Sequence, residues 1–431
     1  MKITISKNLI DKVLLIGFII TFFSKDFFFN FYFKNIFIDI FSYTFFTLVF
    51  FFYVDLNISQ WKKIYFITLI VLGIEINIKI INGFSIFPLL KQLLPIVIIY
   101  VTTYFFLKKN SLNKIFDYYL KILFVACIFG IVQFILDHFF NIYLFQYIPR
   151  RIDSIFREPS HFASMIVPGL IYGIFNFKKY QLFTLVFVIN LFLTFSFAGY
   201  LALLLTFILI FFTKEKLKIF FISLGLISLI IFVILTIDKK NVNNGFLSSI
   251  LKNQIKLRDI SKTINLSDFN NYIDNDVRNL GIYSVSSNLV ATANFLINNP
   301  LGSGLGGHEE AYYYYTNQYQ MYGSFTQSDT MKKKRYGYNS KSAHSLLIRI
   351  VSEFGIIFII FILLIIGKII LNITRYTDEE KIIIITCVSY FLFRFIKLGG
   401  YFDYGLYFFI TAFLFIIYNQ NESITYNNYT N

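Results

Sequence analysis

Seven ionisable side chains stand at the borders of long apolar runs in this sequence. They are Arg157, Glu158, His161, His344, Arg349, Glu353 and Arg394. Arginine stays charged when it leaves water, and its planar fork matches the oxygens of a phosphate group. Histidine and carboxylate side chains can accept a proton during a reaction. These residue types indicate a site that binds a phosphate-bearing anion beside a proton acceptor.

The elements that carry these residues are apolar enough to lie in a membrane. Hydrophobic residues make up 57% of the 431 residues and charged residues only 15%, and the mean hydropathy is +0.65. An ordinary soluble domain cannot bury so many long apolar stretches. We therefore predict an all-α fold, a polytopic transmembrane helical bundle.

A helix needs about 20 apolar residues to cross the hydrocarbon core, and about twelve segments meet this requirement. They are residues 9–23, 36–54, 64–81, 86–107, 115–136, 161–177, 181–197, 199–213, 219–237, 345–366, 382–398 and 404–419. The first has no small-residue cleavage site, so we expect it to be retained. We predict three regions: spans one to nine in 1–237, one long outer-face loop in 238–344, and three spans with a short tail in 345–431.

Lysine and arginine in the short loops predict which side each loop faces. With a cytoplasmic N-terminus, sixteen of these residues fall in inside segments and six in short outside segments. We therefore predict a membrane protein with both termini in the cytoplasm and its site on the outer face of the membrane. Topology explains the net charge of +15, so no nucleic-acid partner is inferred. No metal-ligand spacing or cofactor motif is present, and we expect no cofactor.

Two interpretations of the basic residues near the outer helix ends are open. They line a polar cavity for an anionic head group, or they extend to the interface and anchor the helices. The second interpretation suits Lys79, which is one turn from Glu75, and also Lys91 and Lys397. The three arginines named above fit the first interpretation better, because a guanidinium matches phosphate and remains charged.

Glycine is concentrated at one point of the predicted outer loop, at Gly302, Gly304, Gly306 and Gly307. The segment lacks the preceding strand and the lysine of a phosphate-binding loop. We predict a tight bend here, with direct contact between its backbone and a substrate as the alternative. The preceding residues 288–298 have helical spacing.

Three motifs, taken in their order along the chain, resemble the O-antigen polymerase and O-antigen ligase superfamily of the Wzy and WaaL type. They are "REPSHFA" (157–163), "NPLGSGLGG" (299–307) and "AHSLLIRIVSEFGIIF" (343–358). The segment "LTFSFAGYLALLL" (193–205) is similar to the "TSR-G" helix pair of that family, although Phe197 replaces its arginine. In two further departures, the spacing from Arg157 to Gly169 differs by one residue, and Arg349 stands where an acid is usual.

The resemblance implies glycosyl transfer from an undecaprenyl-diphosphate-linked oligosaccharide at the outer leaflet of the cell inner membrane, with the active site facing the periplasm. We expect a repeat-unit polymerase for O-antigen or capsular polysaccharide, with a chain-length regulator and a flippase as partners beside the membrane lipid. One alternative is a ligase that moves the glycan to lipid A core. A second alternative, from another class, is a flippase or transporter of lipid-linked oligosaccharide.

The resemblance also implies roles for the residues at the borders of the spans. His344 matches the family's histidine in "H-[SN]-x-x-L" and is the leading candidate base, with capping of the tenth span as the alternative. Glu158 is the rival base; otherwise it starts the sixth span together with Pro159.

The remaining site residues bind the diphosphate or support the site. Arg157, Arg349 and Arg394 are the expected diphosphate ligands, and Arg157 is also counted among the catalytic residues. His161, Glu353, Gly304 and Gly306 are assigned to the second layer of the site or to the outer loop.

Overall fold

The computed structural model describes nine ranges of the chain, and regular structure within them is α-helical, without strands. The ranges are 7–23, 37–52, 54–55, 57–142, 151–156, 158–212, 280–318, 340–372 and 376–428. The all-α prediction is confirmed for this part of the chain. Its helices are α1 (Lys7–Phe23), α2 (Phe37–Phe52), α3 (Ile58–Ile81), α4 (Phe87–Lys109), α5 (Leu112–Phe140), α6 (Pro159–Phe175), α7 (Phe177–Leu193), α8 (Phe197–Phe212), α9 (Leu280–Asn298), α10 (His308–Gln318), α11 (Leu346–Asn372), α12 (Asp378–Ile396) and α13 (Leu406–Asn428).

Every predicted span except the ninth coincides with one of these helices, with ends that differ by several residues. The ninth, 219–237, lies outside the described residues. Among the described residues, three helices, α3, α4 and α5, are long and apolar enough to cross a membrane, and several others are apolar but shorter. These helices indicate a membrane protein. The count of about twelve spans and the sides of the loops remain predictions.

The chain divides into two compact units that do not follow its linear order. The first consists of Met1–Gly73, Leu90–Thr206 and Ile362–Asn431, and the second of Ile74–Leu89 and Phe207–Phe361. The predicted boundaries at 237 and 344 separate segments of the sequence, whereas each unit combines segments that are far apart in it. Much of the predicted loop, 238–279 and 319–339, lies outside the described residues.

The first unit is a bundle in which α6 occupies an interior position. Helix α6 packs against α5, α7 and α12, and α12 also packs against α13. It begins at Pro159, which has no N–H to lose and whose fixed φ suits the first turn of a helix. Helices α5 and α6 approach closely at Gly169, where an added Cβ would lie 2.5 Å from a methyl carbon of Leu123. This packing fixes where the start of α6 meets the end of α12.

The ends of α7, α8 and α12 also follow from local sequence. Helix α7 ends at Leu193 and α8 begins at Phe197, and Phe195 between them has a φ of 47°. Helix α12 begins with a capping box, in which Thr377 and Glu380 exchange side-chain and backbone hydrogen bonds.

The second unit is built around a bend in α11. Gly355 has a φ of 57° and a ψ of −144° within this helix, a conformation that is almost restricted to glycine. The described part of the predicted outer loop is largely helical, as α9 and α10. The prediction of a helix over 288–298 is confirmed.

Candidate functional site

Glu158 lies immediately before α6, as its N-cap residue, and is surrounded by polar groups. Its Oε2 atom accepts hydrogen bonds from Lys397 Nζ at 3.3 Å and from Ser160 Oγ at 3.2 Å. The same oxygen lies 3.7 Å from His161 Nε2. Burial alone would raise the pKa of this carboxyl, but Lys397 and His161 outweigh it and hold the pKa at about 2. Glu158 is therefore a carboxylate at neutral pH.

His161 is held on its other side by a tyrosine from the segment after α12. The Tyr404 hydroxyl oxygen lies 2.6 Å from His161 Nδ1. Tyr404 is itself held in place, because the Tyr390 hydroxyl donates to its carbonyl oxygen at 2.6 Å. Its backbone is unusual for a side-chain-bearing residue, with a φ of 51°, and it precedes Gly405 at 73°. The tightly turned segment after α12 thus places the Tyr404 hydroxyl next to His161.

Arg394, in the last turn of α12, is fully buried. Its Nη2 donates to the carbonyl oxygen of Gly400, and its guanidinium carbon lies 6.0 Å from the centre of the Tyr390 ring. Its Nε and Nη1 atoms have no hydrogen-bond partner among the described residues. A buried polar group without a hydrogen-bond partner is rare and costly, so the position of Arg394 calls for a functional explanation.

We define the Glu158 cluster as Glu158, His161, Arg394, Lys397 and Tyr404. All five belong to the first unit. Glu158 and His161 lie at the start of α6, and Arg394 lies in the last turn of α12. Lys397 joins the two helix ends through its contact with Glu158. Arg157, predicted to act beside them, lies outside the described residues.

The second unit holds another group of charged residues, at the end of α3. Lys79 is fully buried and donates to Glu310 Oε2 at 3.0 Å. One turn earlier, Glu75 Oε2 accepts from the backbone N–H of Leu305 at 2.6 Å, and Asn82 Nδ2 donates to the carbonyl oxygen of Gly302 at 3.0 Å. These contacts attach the glycine-rich loop and the start of α10 to α3.

The glycine-rich loop also pairs with the bend in α11. Ser303 N and Gly304 N donate to the carbonyl oxygens of Ser352 and Glu353, each at 2.9 Å. In the other direction, Ile356 N donates to the carbonyl oxygen of Pro300 at 3.0 Å. Gly302, Gly304 and Gly306 all have φ between 75° and 85°, so the predicted tight bend is confirmed. Direct contact of this loop with a substrate remains a prediction.

Arg349 and Glu353 form an ion pair on α11. Arg349 Nε lies 3.0 Å from Glu353 Oε1, and the two side chains are 8% and 0% exposed. The charge of Arg349 is thus balanced within its own helix, in contrast to Arg394. The roles of Arg349 as a diphosphate ligand and of Glu353 behind it remain predictions.

His344 lies just before α11, in an unusual backbone conformation. Ala343 and His344 have φ of 57° and 60°, and Ser345 accepts a hydrogen bond from Ile348 N at 3.4 Å. Ser345 therefore provides the helix cap that was the alternative role for His344. The catalytic role of His344 remains a prediction.

His308 is a buried histidine outside the predicted set of site residues. Asn288 donates through Nδ2 to Ser284 O at 2.6 Å, which turns its Oδ1 towards His308 Nε2 at 2.9 Å. Burial, with a further contribution from Arg349, lowers the pKa of His308 to about 3. The neutral imidazole thus donates from Nε2, and its Nδ1 has no partner among the described residues.

No family model and no curated protein matches this chain. The resemblance to the O-antigen polymerase and ligase superfamily thus rests on the motifs themselves. Within the part of the chain that the structure describes, no three His, Cys, Asp or Glu side chains are grouped as ligands for a metal ion.

The sequence alone does not predict the contact of Tyr404 with His161, and it favours Lys397 as an interfacial anchor. A usable signal was the segment "KLGGYFDYG" (397–405), which is short, polar and rich in glycine and tyrosine between two apolar runs. Such a segment is more than a simple connection, because its turns require the positive φ of Leu398, Tyr404 and Gly405.

Proposed function

We propose that this protein is an integral membrane glycosyltransferase, a repeat-unit polymerase that uses an undecaprenyl-diphosphate-linked oligosaccharide at the outer leaflet of the inner membrane. The observation that carries the proposal is the fully buried Arg394, with two guanidinium nitrogens that have no partner among the described residues. The motif resemblance supports the class of reaction. A chain-length regulator and a flippase are the proposed protein partners.

The leaving group of this reaction explains why an arginine is retained in such a position. When the bond between the donor sugar and the diphosphate breaks, negative charge increases on the diphosphate oxygens. Preorganised cations stabilise that charge, and this is often the largest contribution to catalysis. Arg394 offers the N–H groups of Nε and Nη1, and Lys397, the residue after the end of α12, offers an ammonium group.

Glu158 organises the cations in this proposal and does not accept the proton. A carboxylate with a pKa of about 2 is a weak base at neutral pH, because efficient proton acceptors have a pKa near the working pH. Its hydrogen bond with Lys397 instead holds the ammonium group at the start of α6. The motif resemblance implies that His344 is the base that accepts the proton.

Reconstitution tests the proposal directly. The substrate is lipid-linked repeat units extracted from cells that lack the gene, and the protein is purified into proteoliposomes. We expect mass spectrometry to detect the release of undecaprenyl diphosphate. A ladder of longer glycans should appear at the same time. Release that requires added lipid A core indicates a ligase. Movement of the substrate across the bilayer without release indicates a transporter and overturns the proposal.

A matched pair of variants connects this activity to the site. Arg394→Gln keeps hydrogen-bonding groups but removes the charge, and we expect the rate to fall about 10²–10³-fold. Lys121→Gln removes a charge from an exposed ion pair with Asp117 and should leave the rate unchanged. Equal rates for Arg394→Gln and the wild type would remove Arg394 from the site.

Gel analysis of surface glycans from a deletion strain provides a second test. Core with a single repeat unit indicates that a polymerase has been lost, whereas bare core with polymer left on the lipid carrier indicates a lost ligase. Repeat units trapped on the inner leaflet would favour a transporter and contradict the proposal.

A further inference from the structure

We infer that His161 accepts the proton of the acceptor hydroxyl and that Tyr404 is the residue that positions it. The inference rests on the proposed glycosyltransferase function and replaces His344 as the proton acceptor. It gives a role to the histidine of "REPSHFA" and to a tyrosine that the motifs do not include.

The arrangement has the logic of a catalytic triad, in which a base is oriented by a third group. Tyr404 contacts Nδ1 of the imidazole at 2.6 Å, and the Glu158 carboxylate lies 3.7 Å from Nε2. The ring is therefore fixed from both sides. When the Tyr404 oxygen accepts from Nδ1–H, the lone pair of the imidazole is on Nε2, the nitrogen next to Glu158.

Accessibility assigns different roles to the two partners. Tyr404 is 2% exposed, so it is placed to orient the ring and not to contact a substrate. The side chains of His161 and Glu158 are 13% and 31% exposed, so the Nε2 side of the cluster is the more accessible. An acceptor sugar therefore approaches the imidazole from the side where Glu158 stands.

The chemical step balances with the groups at hand. The O–H bond of the acceptor breaks and its proton moves to His161 Nε2, while the oxygen electron pair forms the new bond to the anomeric carbon. The bond from that carbon to the diphosphate oxygen breaks, and the electron pair leaves with the polyprenyl diphosphate. The imidazolium, stabilised by the Glu158 carboxylate, then releases its proton to water.

The described contacts show which polar groups stand at His161. The Glu158 carboxylate lies at Nε2 and the Tyr404 hydroxyl at Nδ1. Lys397 Nζ contacts the same oxygen of Glu158 at 3.3 Å, so the carboxylate that faces the imidazole is itself held in place.

The test measures the rate of undecaprenyl diphosphate release against pH in proteoliposomes. His161→Gln should lower the rate about 10²–10⁴-fold, the usual contribution of a general base. Tyr404→Phe keeps the ring but loses the oxygen that accepts from Nδ1–H, so we expect a lower rate and a changed profile of rate against pH. Glu158→Gln should change the same profile, because the imidazolium loses the carboxylate that lies 3.7 Å from Nε2.

Tyr172→Phe is the matched control, because it removes a buried hydroxyl near the other end of α6. That hydroxyl donates to Asn113 at 3.2 Å, and we expect wild-type rates and an unchanged pH profile. Gel filtration of every variant in detergent shows whether it folds.

Several outcomes separate this inference from the function on which it rests. A folded His161→Gln or Tyr404→Phe variant with the wild-type rate and pH profile overturns the inference. A Tyr404→Phe variant whose only change is a lower heat stability overturns it as well. If His344→Ala abolishes the dependence of the rate on pH while His161→Gln keeps it, His344 is the base and the inference is wrong. A wild-type protein that releases no diphosphate overturns the glycosyltransferase proposal and this inference together.

Discussion

Two buried arginines near helix ends differ in how their charge is accommodated. Arg349 pairs with the buried carboxylate of Glu353 at 3.0 Å. Arg394 has a backbone carbonyl and an aromatic ring as neighbours, and two of its nitrogens lack a partner among the described residues. The first arrangement is typical of a structural pair. The second arrangement costs stability, as residues kept for function often do.

Substitution by methionine should therefore affect the two positions in opposite directions. Arg349→Met leaves Glu353 buried without its partner and should cost about 3–5 kcal/mol. Arg394→Met removes donors that were already unsatisfied, each costing about 1–3 kcal/mol, so the melting temperature in detergent should stay level or rise while activity is lost. A clear fall in melting temperature for Arg394→Met would mean that this arginine is structural.

Glu158 makes a pH-dependent contribution to stability. Its folded-state pKa of about 2 is below the ordinary 4.5, so the contribution is complete above about pH 4.5 and is lost as the pH falls towards 2. A difference of this size corresponds to about 3 kcal/mol before screening by water. Because the side chain is 31% exposed, we expect about 1–2 kcal/mol.

Thermal unfolding between pH 5 and 3 measures this contribution. Glu158→Gln should flatten the acid-induced loss of stability in this window. Glu379→Gln removes an exposed carboxylate that accepts a hydrogen bond from Asn113 and should follow the wild type. Identical acid profiles for all three proteins would contradict the assignment.

The sequence located several site residues but not their partners. Charges beside apolar runs drew attention to Glu158, His161 and Arg394, because ionisable groups near a membrane are costly. The contacts from Lys79 to Glu310 and from His161 to Tyr404 join residues 231 and 243 positions apart. Local spacing contains no information on such pairs, so a single sequence could not predict them.

At the scale of elements, the bend in α11 and the glycine-rich loop depend on each other. The bend at Gly355 lets the backbone of residues 352–356 pair with the loop, through Ser303, Gly304 and Pro300. A Cβ added to Gly355 would lie 2.1 Å from the carbonyl oxygen of Pro300. The two motifs "NPLGSGLGG" and "SEFG" are thus halves of one structural feature.

Gly355→Ala should therefore destabilise the second unit. The positive φ costs about 1–3 kcal/mol for alanine, and the clash with Pro300 displaces the loop. Hydrogen exchange followed by mass spectrometry should show faster exchange of amides in 299–307, with a lower melting temperature. Gly73→Ala is the control, because nothing lies within 4 Å of an added Cβ in this helix; it should raise stability by about 0.5–1 kcal/mol. Unchanged exchange in Gly355→Ala would contradict the coupling.

Helices were predictable from the sequence, and their interruptions were not. A run of about 20 apolar residues is a strong signal because the backbone must satisfy its own hydrogen bonds in lipid. The tenth predicted span contains Gly355 among isoleucines and phenylalanines, and nothing local distinguishes a tolerated glycine from a bend. Its positive φ is stabilised by a loop some fifty residues earlier, which the local pattern does not include.

At the scale of the whole molecule, the chain is organised by contacts and not by sequence order. The predicted regions are contiguous stretches, whereas the first unit combines three separate segments and the second combines two. Long apolar helices allow this, since a single helix such as α3 carries residues of both units. The composition of the units therefore depends on packing that the span pattern cannot predict.

The predicted orientation can be tested at the ends of α3, a candidate membrane span. Its 24 residues correspond to about 36 Å, more than the hydrocarbon core of about 30 Å. Ser59 and Ser85 lie in exposed positions at opposite ends, and the two native cysteines are buried. An impermeant maleimide should label Ser85→Cys in intact spheroplasts, and Ser59→Cys only after permeabilisation.

The labelling result also predicts on which side of the membrane the Glu158 cluster lies, because successive spans cross the membrane in alternating directions. If Ser85 faces outwards, α4 returns the chain to the cytoplasm and α5 brings Asn141 to the outer side. No span is predicted between Asn141 and Glu158, so the start of α6 should face outwards as well. Labelling of Ser59→Cys alone from outside would reverse this order and place the cluster on the cytoplasmic side. An outer-leaflet donor could not then reach it, and the proposed reaction would be excluded by topology.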